Sequence, residues 1–186
     1  MLYNTTMKRC FWVDEKSDIY VKYHDEEWGV SKYDDRELLE LLILESFQAG
    51  LSWITVLKKR DAFRTEFDNF ELDKIINYDD KKIEQMLNNP AIIRSRGKIT
   101  AAINNARIFK EIQKEYGSFS NYIWSFTDNK VIKNTTGETI VSSPLSDKIS
   151  KDLKKRGMKY VGTVIIYSYL QAIGVVNDHD KDCFKY

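Results

Sequence analysis

Residues Asp34 to Gln48 read DDRELLELLILESFQ, and this stretch decides the fold class. Its acidic opening suits the positive end of a helix macrodipole, and the residues that follow are apolar on almost every face of a helix. Because a helix that is apolar all round must be buried, we predict a central helix covered by other elements. Gly50 interrupts the pattern, and Leu51 to Arg60 resumes it.

The rest of the chain repeats helical patterns joined by short links. These patterns lie at 72–77, 80–88, 97–115, 118–126, 145–156 and 163–173. The β-prone stretch from Asn129 to Ser143 predicts a loop or a short hairpin. With only 8 Gly and 2 Pro there is little material for the turns of a many-stranded sandwich. We therefore predict an all-α protein in which residues 1–186 form a single compact unit.

Composition narrows the classes of partner and compartment. The 186 residues are 42% hydrophobic and 31% charged, which is typical of a soluble globular protein. The net charge of +1 gives no global attraction to nucleic acid, so any DNA contact must come from local patches. No apolar run approaches the roughly 20 residues that span a bilayer. Residues 1–6 lack the apolar core of a signal peptide, with Met7 as an alternative start, and we expect a cytoplasmic protein.

The two cysteines and two histidines of the chain all lie in its terminal segments. They are Cys10, His24, His179 and Cys183, spaced C-x13-H and H-x3-C. Cys2His2 is a common ligand set for structural zinc, and four protein ligands leave no position for a reactive water. We therefore predict one structural Zn²⁺ and, in a reducing compartment, no disulfide. The alternative is two buried thiols and two ordinary imidazoles.

Glu45 is an acid in the apolar part of the central helix. A carboxylate there is costly unless it is paired or hydrogen-bonded. By contrast, Glu40 is predicted on the exposed face of the same helix. Two interpretations of Glu45 stay open: a salt bridge to a nearby Lys or Arg, or an acid in the wall of a pocket.

Aromatic and amide side chains surround this acid in the sequence. Gln48, Leu51 and Trp53 follow it at the helix interruption, and a second aromatic group straddles His24 in a charge-rich segment. That second group comprises Trp12, Tyr20, Tyr23 and Trp28. Flat rings with one acid and one amide suit a planar, electron-poor heterocycle, whereas the alternative interpretation is ordinary core.

A basic turn lies between two helical patterns at Lys154 to Thr163, KKRGMKYVGT. Gly157 and Gly162 bracket the turn, and a helix begins at Thr163. Backbone N–H groups at such a turn can hold a phosphate, although a basic helix end is often merely solvated. Further basic patches lie at 58–60 and 94–98.

Together these residues resemble the bacterial 3-methyladenine DNA glycosylase I family of the helix-hairpin-helix superfamily. The resemblance runs from about residue 7 to residue 183. The matching stretches are 9–12, 23–30, 48–60, 92–99, 124–126, 154–163 and 177–179.

The resemblance implies a helix-hairpin-helix glycosylase fold whose N- and C-terminal segments are joined by the structural zinc. Residues 7–30 plus 166–186 would form a zinc-clamped terminal lobe, and 34–165 a helical lobe. The implied activity is hydrolysis of the N-glycosidic bond of 3-methyladenine in double-stranded alkylated DNA, which initiates base excision repair. The substrate 3-methylguanine stays open, the free base is the product, and we expect a monomer.

The resemblance also assigns roles to residues. Glu45 matches the catalytic acid that hydrogen-bonds the flipped base. Bifunctional relatives carry a Lys at the position of Val164, so a monofunctional enzyme is expected, with water as nucleophile. The base-binding residues implied are Trp12, Tyr20, Tyr23, Trp28, Gln48 and Trp53. The DNA-binding residues implied are Gly50, Leu51, Gly157, Lys159, Gly162 and Thr163, and the zinc ligands are Cys10, His24, His179 and Cys183.

Two other classes stay open at this point. A zinc-stapled DNA-binding module would bind duplex without releasing a base. A zinc hydrolase would show activity that follows metal content independently of folding. Asp178 and Asp182 flank zinc ligands, and neither is assigned a role.

Overall fold

The computed structural model describes residues 7–186, so the prediction about the first six residues lies outside the described part of the chain. Within that range the protein is mostly helical, as the sequence predicts, with ten α-helices, one short 3-10 helix and two strands of two residues. The helices are α1 Asp18–Glu26, α2 Asp35–Gln48, α3 Trp53–Leu57, α4 Arg60–Glu66, α5 Leu72–Ile75, α6 Asp80–Asn88, α7 Arg96–Tyr116, α8 Phe119–Ser125, α9 Pro144–Lys155 and α10 Thr163–Ala172; the 3-10 helix is Asp68–Phe70.

Helix α2 is the centre of the fold. The Asp34 side chain caps it by accepting from the backbone N–H groups of Arg36 and Glu37. Every residue from Leu38 to Phe47 is buried, because α2 packs against α3, α7, α8 and α10. The central buried helix predicted from its apolar sequence is therefore confirmed.

Two regions of the chain depart from the predicted helices. The pattern over 51–60 forms two helices, broken at Lys58 and Lys59, and the second continues to Glu66. Helix α1 was not predicted, because its few apolar residues are scattered through a charge-rich segment. The pattern of apolar residues predicts such short helices poorly, because their stability comes from tertiary packing.

The β-prone stretch forms a strand, but not a hairpin. Strand β1, Ile132–Lys133, pairs in parallel with strand β2, Val176–Asn177, some 44 residues further along the chain. The hairpin alternative is therefore wrong, because the partner is remote and the residues after β1 form an irregular loop. This pairing places the loop 134–141 beside the segment that follows α10.

Glu40 is also placed differently from the prediction. It is only 9% exposed, and its carboxylate accepts hydrogen bonds from Arg60 at 2.6 Å and Arg64 at 3.0 Å. The side chains of Arg60 and Arg64, on α4, cover the part of α2 that the sequence predicted to be exposed. Among residues 7–186, no helix has the length and apolar character needed to cross a membrane.

Candidate active site and Cys/His cluster

A cavity of about 520 Å³ collects side chains that are far apart in the sequence. Its volume lies in the range of small-molecule sites. We call its aromatic and acidic part the aromatic pocket, which is formed by Trp12, Tyr20, Tyr23, Trp28, Glu45, Gln48 and Trp53. All the acidic, amide and aromatic residues predicted for one pocket are thus brought together.

The rings of the aromatic pocket support one another. Trp12 contacts Trp28 edge to face with centroids 5.0 Å apart, and Tyr20 in the same way at 5.3 Å. Tyr23 and Trp53 lie 5.4 Å apart at a tilted angle. Such pairs fix ring orientation, so the pocket offers a few flat faces in set positions.

Glu45 enters this pocket from α2 as a buried acid. Its side chain is 2% exposed, and Oε2 has no hydrogen-bond partner among residues 7–186. Burial raises the pKa of Glu45 from its ordinary value to about 8. The salt-bridge alternative is wrong, because Arg60 and Arg64, the cations of α4 beside this helix, pair with other acids.

Trp53 supplies a second unpaired group. Its indole Nε1–H is buried and has no acceptor in the described part of the chain. Burial, with the nearby charge of Glu45, raises the pKa of Tyr23 well above its ordinary value. Since buried polar atoms are nearly always hydrogen-bonded, an unpaired carboxyl oxygen and an unpaired N–H in one cavity indicate a ligand site.

The turn between α2 and α3, residues 48–52, connects this pocket to the surface. Gln48 and Trp53 line the cavity, whereas Gly50 and Leu51 are exposed, Leu51 by 41%. Gly50 has φ +78°, a conformation that favours glycine, and the Leu51 N–H bonds the Gln48 carbonyl at 2.6 Å. The 48–52 turn therefore holds an apolar side chain at the surface next to the pocket residues.

Within the basic stretch Lys154 to Thr163, residues 156–162 form the turn that links α9 to α10. Gly157 has φ +100°, Gly162 precedes α10, and Lys159 is exposed. The Thr163 hydroxyl is hydrogen-bonded to that of Ser146 at 2.8 Å. This turn lies outside the cavity. Val164, at the start of α10, is one of the residues that line the cavity.

Several cations of the three basic patches serve the fold instead of the surface. Arg60 and Arg156 each pair with two carboxylates. Lys59 and Lys98 each donate to two backbone carbonyls. Lys154 stays exposed. The number of Lys and Arg residues in these patches is therefore larger than the number of cations that are available to bind a ligand.

Asp178 lines the cavity and was assigned no role from the sequence. Its carboxylate accepts from the side-chain amides of Asn134 and Gln171, both at 2.6 Å, and from the Tyr167 hydroxyl at 3.1 Å. It thereby joins the loop 134–141 to α10. No local sequence signal reveals this, because the contact depends on the remote pairing of β1 with β2.

The Cys/His cluster consists of Cys10, His24, His179 and Cys183. All four are buried, and one ligand atom from each lies within 4.8 Å of the others. The two ends of the chain are thus brought to one point, and the group could hold a metal ion.

Neighbouring groups aim both imidazoles at the centre of the cluster. His24 Nδ1 lies 2.8 Å from Asp25 Oδ1, and His179 Nδ1 lies 2.9 Å from Asn177 Oδ1. Arg9 in turn donates to Asp25 at 2.7 Å. Each Nε2 then faces the cluster, and that of His179 has no partner within residues 7–186. Metal-binding histidines are oriented in this way, so the donor set fits a metal ion.

Burial also keeps these imidazoles neutral. It lowers the pKa of His24, partly offset by Asp25, and lowers that of His179 to about 4. Neutral imidazole is the form that binds metals.

Comparison with known proteins gives a consistent picture. A sequence model of the family described as methyladenine glycosylase matches residues 12–186. DNA-3-methyladenine glycosylase 1 of Escherichia coli (strain K12) is 45% identical over 183 residues, which are 97% of each chain.

Solved structures agree in fold over nearly the whole chain. A crystal structure of 3-methyladenine DNA glycosylase I superposes with a TM-score of 0.91 and 46% identity, covering 95% of this chain and 98% of that one. A variant of such an enzyme in complex with 3-methyladenine has a TM-score of 0.87 and 36% identity, covering 91% and 93%. The resemblance read from the sequence is confirmed: this chain belongs to the methyladenine glycosylase family.

Proposed function

We propose that this protein hydrolyses the N-glycosidic bond of 3-methyladenine in alkylated double-stranded DNA and so initiates base excision repair. The observation that carries the proposal is the aromatic pocket, where Glu45 Oε2 and Trp53 Nε1 are buried and have no hydrogen-bond partner in the part of the chain from residue 7 onward. The relatives support it, since one is named DNA-3-methyladenine glycosylase 1 and another was solved in complex with 3-methyladenine. We keep 3-methylguanine as a second candidate substrate, because it is also a cationic N3-methylpurine.

The damaged nucleotide must first leave the base stack, at a cost of a few kcal/mol that is lowest for damaged bases. In this proposal Leu51 fills the gap in the duplex, and Gly50 lets its turn approach the DNA closely. The turn from Gly157 to Gly162 and the start of α10 at Thr163 bind a phosphate through backbone N–H groups. Lys159 adds charge at this anchor.

Recognition then depends on charge and flatness. Methylation at N3 makes the nucleotide base cationic, so aromatic faces attract it and the Glu45 carboxylate is its counter-charge. Binding of a cation lowers the pKa of Glu45 from about 8 and favours the ionised form. In this proposal the Trp53 N–H and the Gln48 amide, which both line the cavity, hydrogen-bond the edges of the purine.

Bond cleavage needs little acid catalysis in this substrate. The C1′–N9 bond breaks, its electron pair passes to the cationic ring, and the base leaves as a neutral purine. A water oxygen bonds to C1′ and loses its proton to solvent. Glu45 therefore acts first in recognition and second in lowering the barrier. Val164 lines the cavity and has no amine that could form a Schiff base with the sugar, which favours a monofunctional enzyme.

The Cys/His cluster takes a structural role in the proposal. Cys10, His24, His179 and Cys183 would hold one Zn²⁺, since two thiolates and two neutral imidazoles form a common structural zinc set. When bound, the ion supplies folding free energy by closing the chain. The segments 7–30 and 166–186 then form one lobe and 34–165 the other, with α9 and α10 as the helix-hairpin-helix of a monomer.

Identification of the released bases tests this function. The protein is incubated with N-methylated duplex DNA, and the free bases are separated chromatographically. The expected product is 3-methyladenine without strand cleavage. Duplex binding with no base released would overturn the proposal in favour of a DNA-binding module. Activity that follows zinc content while stability is unchanged would favour a zinc hydrolase.

A further inference from the structure

The first turn of α7 lies between the two surface turns described above. Lys98 Nζ donates to the carbonyls of Phe47 at 2.8 Å and Ala49 at 2.6 Å, at the end of α2. These carbonyls belong to the terminal groups that a helix leaves unpaired, at the negative end of its dipole. Lys98 therefore acts as a C-terminal cap that α7 supplies to α2, next to the 48–52 turn.

The ammonium of Lys98 is committed to this cap. Burial alone lowers its pKa, with no carboxylate contributing. Its charge is matched by carbonyl oxygens and not by an acid. The sequence placed Lys98 in a surface basic patch, but these hydrogen bonds direct the ammonium toward the protein.

The same helix also fixes the 156–162 turn. Asn105 is 1% exposed, and its side chain accepts from the Lys159 N–H at 2.9 Å and donates to the Lys159 carbonyl at 2.8 Å. Asn104 donates to the Gly157 carbonyl at 3.0 Å. Gly97 closes the contact, since the Tyr160 hydroxyl lies 3.1 Å from where a Cβ on this glycine would be.

We propose that α7 is a positioning element: Lys98 and Asn105 hold the 48–52 turn and the 156–162 turn at a fixed separation on the protein surface. The inference rests on the proposed function, in which one turn fills the duplex gap and the other binds a phosphate. Both contacts must form at once on duplex DNA. Catalysis is sensitive to misplacement of about 1 Å, so a rigid helix between the turns sets the efficiency of base extrusion.

Lys98→Met tests the first half of this proposal, because it keeps the length of the side chain and removes the ammonium. Lys110→Met is the matched control, since Lys110 is on the same helix but pairs with the exposed Asp73. Single-turnover excision is measured on methylated duplex and on methylated single strands, which need no gap filled. We expect the duplex rate to fall about 30-fold and the single-strand rate at most about threefold. Lys98→Arg should recover part of the loss, and Lys110→Met should match wild type.

Two results would overturn the role of Lys98. An equal loss on duplex and single strands would mean a general defect in the pocket. A decrease of about one in the salt slope of DNA binding would instead make Lys98 a phosphate contact.

Amide hydrogen exchange in the free protein tests the inference independently of any activity. Lys98→Met should speed exchange at Leu51 and leave Lys159 unchanged, whereas Asn105→Ala should do the reverse. Asn104→Ala is the milder variant if the loss of the buried Asn105 prevents folding. Unchanged exchange at both turns would sink the inference even in an active enzyme. Altered exchange in a protein that releases no base would sink only the proposed function.

Discussion

The Cys/His cluster and the aromatic pocket are adjacent, but they differ in how many polar atoms converge in each. They touch, since the rings of Trp28 and His179 lie 4.5 Å apart. Each contains a buried polar atom without a partner in residues 7–186, His179 Nε2 in one and Glu45 Oε2 in the other. In the cluster, four donor atoms converge within 4.8 Å. In the aromatic pocket, Glu45 is the one acid among the residues that form it, and it faces the cavity between flat rings.

The difference shows what each region is built to bind. Four converging donors are completed by one small ion, and Asp25 and Asn177 orient the imidazoles from behind. A lone acid among rings is completed only by something large, planar and positively charged. The cluster therefore suits a permanent ion that holds the fold, whereas the pocket suits a ligand that enters and leaves.

Loss of the proposed Zn²⁺ should give the largest effect, because the cluster joins segments about 155 residues apart. Cys183→Ser, or treatment with a strong chelator, should lower the free energy of unfolding by about 4 kcal/mol or more. Thermal unfolding with parallel measurement of zinc content checks this. Excision should be lost only in proportion to the unfolded fraction. Loss of excision at undiminished stability would contradict a purely structural cluster.

The next effect is a dependence of the free energy of unfolding on pH that arises from Glu45 in the aromatic pocket. Burial raises the pKa of Glu45 from 4.5 to about 8, so between these values the folded protein keeps a proton that the unfolded chain releases. The contribution of Glu45 to stability therefore falls as the pH rises from about 4.5 to about 8 and levels off above. Glu45→Gln removes this contribution and should gain up to about 5 kcal/mol relative to wild type across that window. Denaturant unfolding at pH 5 and pH 9 measures the difference, and parallel curves for the two proteins would refute the buried, unpaired acid.

Trp53 should show a smaller effect that concerns the pocket alone. Loss of a stacking ring costs about 1–3 kcal/mol, so Trp53→Ala should reduce kcat/KM on methylated duplex about 10- to 100-fold. Trp53→Phe keeps a ring but removes the N–H. Its kcat/KM should lie between that of wild type and that of Trp53→Ala. Steady-state excision kinetics measure this series. Equal activity of the Phe variant and wild type would remove the indole N–H from base recognition.

Lys159 should give the smallest effect. It is exposed at the 156–162 turn, and Lys159→Ala should weaken DNA binding about threefold and lower the salt slope by about one. Binding of duplex at several salt concentrations measures both. Lys130, exposed and remote in sequence from both turns, provides the control variant Lys130→Ala. A Lys159→Ala slope identical to wild type would place the phosphate contact elsewhere.

The sequence predicts those parts of the molecule that are signalled by a scarce residue type or by the pattern of apolar residues along a helix. The apolar run of α2 predicts its burial, and the scarcity of Cys and His predicts the cluster. Glu45 stands out because an acid in such a run is costly. Each of these signals is local or can be counted without knowing the topology.

What the sequence does not predict depends on contacts between remote segments. Glu40 looks exposed until α4 brings Arg60 and Arg64 over it. Lys98 looks like a surface cation until α2 ends beside it. Asp178 gains Asn134 as a donor only once β1 pairs with β2. In each case the partner is chosen by the fold.

The most direct test of the central claim is excision of 3-methyladenine from methylated duplex by wild-type protein and by Glu45→Gln at pH 7.5. The variant keeps the shape of the side chain and removes the charge that faces the cationic base. We expect kcat/KM to fall at least about 100-fold while the free energy of unfolding stays equal to or above that of wild type. Activity of the variant within about threefold of wild type would contradict the claim that the unpaired carboxylate recognises the base.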